Sequence, residues 1–117
     1  MHIFIVDDQQ SIIDTWTTLL SGVEDFKVVD SALESAEALR KIKLHRPNIV
    51  LLNLNLKDTS GIDLCVKIIK EAPTTKVIGL SLQNKATIVK KVITKGAKGY
   101  LTKNVEVAEL IKAIKEL

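Results

Sequence analysis

A short apolar segment, residues 48–56, constrains the fold of this chain more than any other part of the sequence. It reads Asn-Ile-Val-Leu-Leu-Asn-Leu-Asn-Leu, which is short for a helix and long enough for a strand. Parallel strands that helices cover on both faces have such near-continuous hydrophobic runs. The segment therefore predicts the central strand of an α/β sheet. Ligands of open α/β sheets bind at the carboxyl ends of the strands, so chemistry is expected near Asn53, where the apolar run breaks up.

Other strand-like runs alternate with segments of helical periodicity along the whole chain. The predicted strands are residues 2–6, 26–29, 48–56, 76–82 and 99–102, and each is followed by a predicted helix. Repeated βαβ units make right-handed crossovers and a parallel sheet. We therefore predict a doubly wound, three-layer α/β domain with five parallel strands in the flavodoxin-like order 2-1-3-4-5.

Individual residues give more local predictions. Ser11 is expected to cap the first helix, and Trp16 lies on the apolar stripe of that helix, which indicates a core position. The expected inner face of the second helix is Ala36, Leu39 and Ile42. The fourth helix is expected to end with Gly96 as a glycine cap.

Composition narrows the class of protein. A length of 117 residues suits one domain, residues 1–117, and no apolar run approaches the ~18–20 residues of a membrane span. The single cysteine, Cys65, excludes an intramolecular disulfide, and we expect a buried thiol in a cytoplasmic protein. Residues 85–117 carry eight basic against three acidic side chains, whereas residues 1–84 carry nine against eleven. The basic residues are spread along predicted helices without aromatic neighbours, which favours a solvated face over a nucleic-acid site.

Polar residues are predicted to converge at the carboxyl edge of the sheet. Asp7 and Asp8 follow the first strand, while Asn53, Ser81 and Lys103 lie at the ends of three others. Clustered carboxylates suit Mg²⁺, and a lysine with a hydroxyl suits a phosphoryl group. An aspartate at position 53 could accept that group as an acyl phosphate, but the amide of Asn53 is a poor nucleophile. An acidic pair alone is also typical of a solvated loop, so the joint placement carries the prediction.

Five motifs in this order resemble the receiver domain of two-component response regulators, over the whole chain. They are Ile5-Val6-Asp7-Asp8, the segment from Val50 to Leu56, Ser60-Gly61-Ile62, Ile78-Gly79-Leu80-Ser81, and the segment from Gly96 to Lys103. The last motif is similar to the LuxR/NarL subgroup. The resemblance implies that Asp7, Asp8 and the backbone carbonyl of Asn55 bind Mg²⁺. It also implies that Ser81 and Lys103 contact the phosphoryl group.

The resemblance implies roles for three further residues, and it shows one large difference between this sequence and the family. Tyr100 matches the aromatic switch residue, Gln83 matches a position that tunes dephosphorylation, and Leu82 stands where a small residue leaves access for phosphate. Asn53 matches the phosphoacceptor, which is an aspartate in the family. Three explanations are open: an engineered block of phosphorylation, a natural phosphate-independent pseudo-receiver that acts through protein partners, or a related fold with another role.

The function implied by the resemblance is signalling by conformation, without enzymatic turnover. A histidine kinase would be the phosphate donor for an aspartate form, and Mg²⁺ would bind more weakly to the Asn53 form. The face of the fourth helix, fifth strand and last helix would contact a second copy or an effector domain. That effector, expected after Leu117, would bind DNA, since this domain itself has no nucleic-acid site. A flavodoxin-like cofactor binder is the alternative, but the acidic loop of residues 7–11 would repel a flavin phosphate.

Overall fold

The computed structural model describes residues 1–82 and 86–117 as a five-stranded parallel sheet with helices on both faces. The strands are β1 (His2–Val6), β2 (Lys27–Ala32), β3 (Ile49–Asn53), β4 (Lys76–Ser81) and β5 (Gly99–Thr102). The helices are α1 (Gln10–Ser21), α2 (Ser35–His45), α3 (Gly61–Glu71), α4 (Ala86–Thr94) and α5 (Val107–Lys115). The strand order β2-β1-β3-β4-β5 confirms the predicted flavodoxin-like topology. In the part of the chain described, no helix is long and apolar enough to span a membrane.

Two apolar clusters, one on each face of the sheet, explain the continuous hydrophobic strands. Val50 and Leu52 of β3 belong to the cluster that includes residues of α2, α3 and α4. Ile49 and Leu51 belong to the opposite cluster, which includes residues of α1 and α5. Successive side chains of a strand point to opposite faces, so a strand covered on both faces is apolar at every position. Trp16, with 9% of its surface exposed, lies in the α1–α5 cluster as predicted.

The strand register aligns the carboxyl ends of the inner strands. Val6 pairs with Leu52, so Asp7 follows β1 at the level where Asn53 ends β3. Ser81, the last residue of β4, pairs with Thr102 of β5. The sheet therefore presents the ends of β1, β3, β4 and β5 along one edge, as the sequence predicts.

One local prediction is wrong, one is wrong at a single residue and one is confirmed. α1 begins at Gln10 with Gln9 as its N-cap, so Ser11 lies inside the first turn; the Asp7 carboxylate accepts the Gln9 N–H and fixes that earlier start. In α2, Ile42 is buried and Leu39 packs against the core as predicted, but Ala38 is buried in place of the exposed Ala36, because Ala38 lies four residues before Ile42 on the same helix face. Gly96 does end α4, with a φ of 114° and Ala97 N–H donating to the carbonyl of Val92.

Candidate functional site at the carboxyl edge of the sheet

The Asp7–Lys103 ion pair joins the two ends of the predicted site. Asp7 is only 3% exposed, and its Oδ2 lies 3.5 Å from the Nζ of Lys103. Its Oδ1 accepts the backbone N–H of Gln9 at 3.0 Å. Burial raises the pKa of the Asp7 carboxyl above its ordinary value, and the Gln9 N–H and the Lys103 ammonium oppose that shift. Lys103 is thus the cation that helps keep a buried carboxylate ionised.

Asp8 lies at the same edge and is less buried than Asp7. Its Oδ2 accepts the backbone N–H of Lys57 at 3.0 Å. This hydrogen bond ties the end of β1 to the loop that follows β3. The loop therefore has a fixed position relative to the acidic pair.

Asn53 stands at the end of β3 with a buried and half-satisfied amide. The residue is 1% exposed, and its Oδ1 accepts the backbone N–H of Asn55 at 2.8 Å. Within residues 1–82 and 86–117, its buried Nδ2 has no hydrogen-bond partner. A buried unsatisfied donor costs about 1–3 kcal/mol. The core of the site is therefore occupied by a neutral amide that carries an energetic cost.

The side chain of Asn55 links the end of β3 to the end of β4. Ser81, which is 1% exposed, donates its hydroxyl to Asn55 Oδ1 at 3.2 Å. The backbone N–H of Leu82 donates to the same oxygen at 3.1 Å. Sequence reasoning gave Asn55 only a backbone role and missed this contact. A polar residue between Leu54 and Leu56, in the loop leaving a buried strand, was the available signal.

Of the remaining predicted site residues, Leu82 lies at the rim of the site and Tyr100 lies on β5. The Leu82 side chain is 74% exposed, close to Thr102 and Lys103 in a shallow groove. Tyr100 is half-buried on β5 and packs against the cluster beneath α3 and α4. Gln83 lies outside the described residues, so its predicted tuning role has no structural counterpart here.

The residues present fit a divalent cation only in part. Asp7 and Asp8 supply two carboxylates, which are the oxygen ligands that Mg²⁺ prefers. The described ranges contain no cluster of three or more His, Cys, Asp or Glu side chains that could hold a metal. Asn53 adds no carboxylate to this pair: its Oδ1 already accepts an N–H, and its Nδ2 cannot bind a cation.

Comparison with known proteins assigns the family. The family model described as "Response regulator receiver domain" matches residues 3–115. This chain belongs to that family. Receiver domains are signalling domains, so the family assignment argues against the alternative of a flavin-type cofactor binder. The family also accounts for the fold, which is shared with CheY-like proteins of known structure.

Relatives place this receiver domain with NarL/LuxR-like response regulators. The oxygen regulatory protein NreC of Staphylococcus carnosus (strain TM300) is 31% identical over 116 residues, which are 98% of this chain and 54% of NreC. A two-component response regulator of the LuxR family from Aurantimonas sp. SI85-9A1 matches with a TM-score of 0.92 and 27% identity, over 98% of this chain and 82% of that one. The CheX–CheY–BeF3–Mg²⁺ complex of Borrelia burgdorferi gives a TM-score of 0.92 and 27% identity, over 99% and 87%. The receiver domain spans about half the length of the curated relatives it matches.

Proposed function

We propose that this receiver domain regulates a response regulator by its conformation and forms no acyl phosphate at residue 53. The observation that carries the proposal is the buried amide of Asn53 at the acceptor position. Acyl phosphate formation needs a carboxylate oxygen as the nucleophile, and an amide is neutral and weakly nucleophilic. The domain would therefore act as a conformational module instead of accepting phosphate.

The arrangement of the other site residues supports a phosphorylation-derived switch. Asp7, Asp8, Ser81 and Lys103 lie at the same edge of the sheet as Asn53, and in an aspartate form they would hold Mg²⁺ and neutralise phosphoryl oxygens. Mg²⁺ would bind Asp7 and Asp8 weakly in the chain as it stands. The side chains of Ser81 and Lys103 would move toward a negative charge at residue 53, and the Tyr100 ring would move in response to Ser81.

The proposed partners follow from the family and from the surface charge. A histidine kinase is the partner we propose for the acidic edge, and a DNA-binding output domain would follow this domain in the longer protein. The helices α4 and α5 and the loop between α4 and β5 carry six exposed lysines: Lys90, Lys91, Lys95, Lys98, Lys112 and Lys115. We propose the face of α4, β5 and α5 as the contact with the output domain or with a second copy.

A phosphorylation assay with matched variants tests the proposal. The wild type, Asn53→Asp and Asn48→Asp are incubated with acetyl phosphate and Mg²⁺ and analysed by intact-mass spectrometry. We expect a phosphoryl adduct on Asn53→Asp alone. Asn48 lies just before β3 at the opposite edge of the sheet, so its variant controls for a new carboxylate outside the site. A stoichiometric adduct on the wild type would contradict the proposal.

A natural pseudo-receiver is the second candidate, favoured by the exposed Leu82 at the rim of the site. A bulky side chain there would hinder a phosphate donor, and its apolar surface suits a protein partner. If Asn53→Asp folds but gains no phosphoryl group, residues other than residue 53 also prevent phosphorylation, and the pseudo-receiver is favoured. If Asn53→Asp gains a phosphoryl group, the amide of Asn53 alone prevents phosphorylation of the site, and the first proposal is favoured.

A further inference from the structure

We propose that the Asn55 carboxamide is a built-in acceptor that replaces a phosphoryl oxygen and holds the switch pair, Ser81 and Leu82, without phosphate. The inference rests on the proposed function, in which residue 53 carries no phosphoryl group. It assigns to Asn55 a positioning role through its side chain. That role differs from the backbone-carbonyl role implied by the family resemblance.

The hydrogen bonds of one oxygen atom support this role. The Ser81 hydroxyl and the Leu82 N–H both donate to Asn55 Oδ1, at 3.2 and 3.1 Å. A carboxamide oxygen has two acceptor sites, so these two donors use its full capacity. A phosphoryl group on residue 53 would need the same Ser81 hydroxyl as a donor. Asn55 therefore already provides the interaction that phosphorylation would otherwise create.

Asn53 in turn orients the loop that carries Asn55. Its Oδ1 accepts the Asn55 N–H at 2.8 Å, which fixes the backbone from which the Asn55 side chain extends. The neutral amide at position 53 thus has a structural function in addition to blocking phosphorylation. The hydrogen bonds run from β3 through Asn55 to the end of β4.

The chain of contacts continues to β5, where the aromatic switch residue lies. The N–H of Lys103, which directly follows β5, donates to the Ser81 carbonyl at 2.8 Å, and Tyr100 lies on β5 opposite Gly79 of β4. Tyr100 packs half-buried against the cluster beneath α3 and α4. A change in the position of Ser81 would therefore be transmitted to the environment of the Tyr100 ring.

Nuclear magnetic resonance without any phosphate donor tests the inference. Tyr100 is the only tyrosine of the chain, so a tyrosine-labelled sample gives one unambiguous set of ring signals. The second readout is the hydrogen-exchange rate of the Leu82 amide. The variants Asn55→Ala and Asn55→Leu remove the acceptor, and Asn55→Asp retains an oxygen there. Asn48→Ala is the matched control, because Asn48 Oδ1 accepts the His2 N–H at 2.7 Å at the opposite edge of the sheet.

We expect Asn55→Ala and Asn55→Leu to raise the Leu82 exchange rate about fivefold, as the loss of one hydrogen bond predicts. Both should shift the Tyr100 ring signals, Asn55→Asp should resemble the wild type, and Asn48→Ala should change neither readout. Unchanged Leu82 exchange and Tyr100 signals in a folded Asn55→Leu would overturn the inference. Equal changes in Asn48→Ala would also overturn it, since they would reflect general loss of stability. Because no phosphate is present, such a failure leaves the phosphorylation test of the proposed function unaffected.

Discussion

Replacing Gly61 by alanine should destabilise the domain through a direct clash with the backbone beside the site. Gly61 is the first residue of α3 and is buried against the chain that leaves β3. A Cβ atom there would lie 2.3 Å from Leu54 Cα and 2.8 Å from the carbonyl oxygen of Asn53. Ordinary carbon–carbon contacts are about 3.5–4.0 Å, so either α3 or the β3 end must move by more than about 1 Å.

The loss of stability in Gly61→Ala depends on which atoms the added methyl group contacts. Overpacking a core typically costs about 1–3 kcal/mol, and the cost is higher where the neighbour cannot rotate away. The neighbours of Gly61 are backbone atoms of Asn53 and Leu54. We therefore expect Gly61→Ala to lower the free energy of unfolding by about 3 kcal/mol. For a domain of this length that corresponds to a Tm lower by roughly 10 °C.

Thermal and urea unfolding, followed by circular dichroism, measure this loss. Gly22→Ala is the matched control, because Gly22 follows α1 with a φ of −80° and its Cβ would lie 3.7 Å from the nearest neighbour, the carbonyl oxygen of Leu19. That variant should be more stable by about 0.4–1 kcal/mol, since alanine reduces the freedom of the unfolded chain. A Gly61→Ala variant with the Tm of the wild type would refute the steric argument.

Two further predictions concern buried titratable groups. Burial raises the pKa of Asp7, so the folded state binds this proton more tightly than the unfolded chain does. Protonated Asp7 therefore stabilises the folded state at pH values below the ordinary pKa of 3.8. This contribution to the free energy of unfolding is lost as the pH rises through the pKa of the folded state. Asp7→Asn should therefore be more stable than the wild type at neutral pH, and urea unfolding should show the difference shrinking on acidification; a constant difference would contradict it. Burial raises the pKa of the Cys65 thiol to about 11, so at ~pH 8 iodoacetamide should alkylate the native protein about 100-fold more slowly than the urea-unfolded chain, as mass spectrometry would detect. Equal rates would mean that the thiol is accessible in the native state.

The sheet could be predicted because several independent features of the sequence indicate the same topology. The apolar run of residues 49–53 has the composition that a strand covered on both faces requires, and the alternating helices leave few topologies. The gathering of Asp7, Ser81 and Lys103 follows from parallel strand ends meeting at one edge. None of these predictions depends on the exact rotamer of a side chain.

The details that the sequence did not reveal depend on competition between individual hydrogen bonds. Ser11 has the right chemistry for an N-cap, but the Asp7 carboxylate accepts the N–H of Gln9, and the N-cap lies two residues earlier, at Gln9. The side chain of Asn55 could have pointed into water, and the positions of the Ser81 hydroxyl and the Leu82 N–H relative to the loop decide otherwise. Composition and periodicity do not encode such choices.

The amide at position 53 changes the electrostatics of the whole edge. The site holds two carboxylates, on Asp7 and Asp8, and one ammonium group, on Lys103, which lies 3.5 Å from Asp7. A third carboxylate at the buried position 53 would add like-charge repulsion to a pocket where burial already raises the pKa of Asp7, and a divalent cation would be needed to offset it. Asn53 adds no charge to this edge, and its Oδ1 accepts the Asn55 N–H instead. An amide at residue 53 offers no nucleophile and would also lower the requirement for Mg²⁺, so we expect absence of phosphorylation and weak metal binding to occur together.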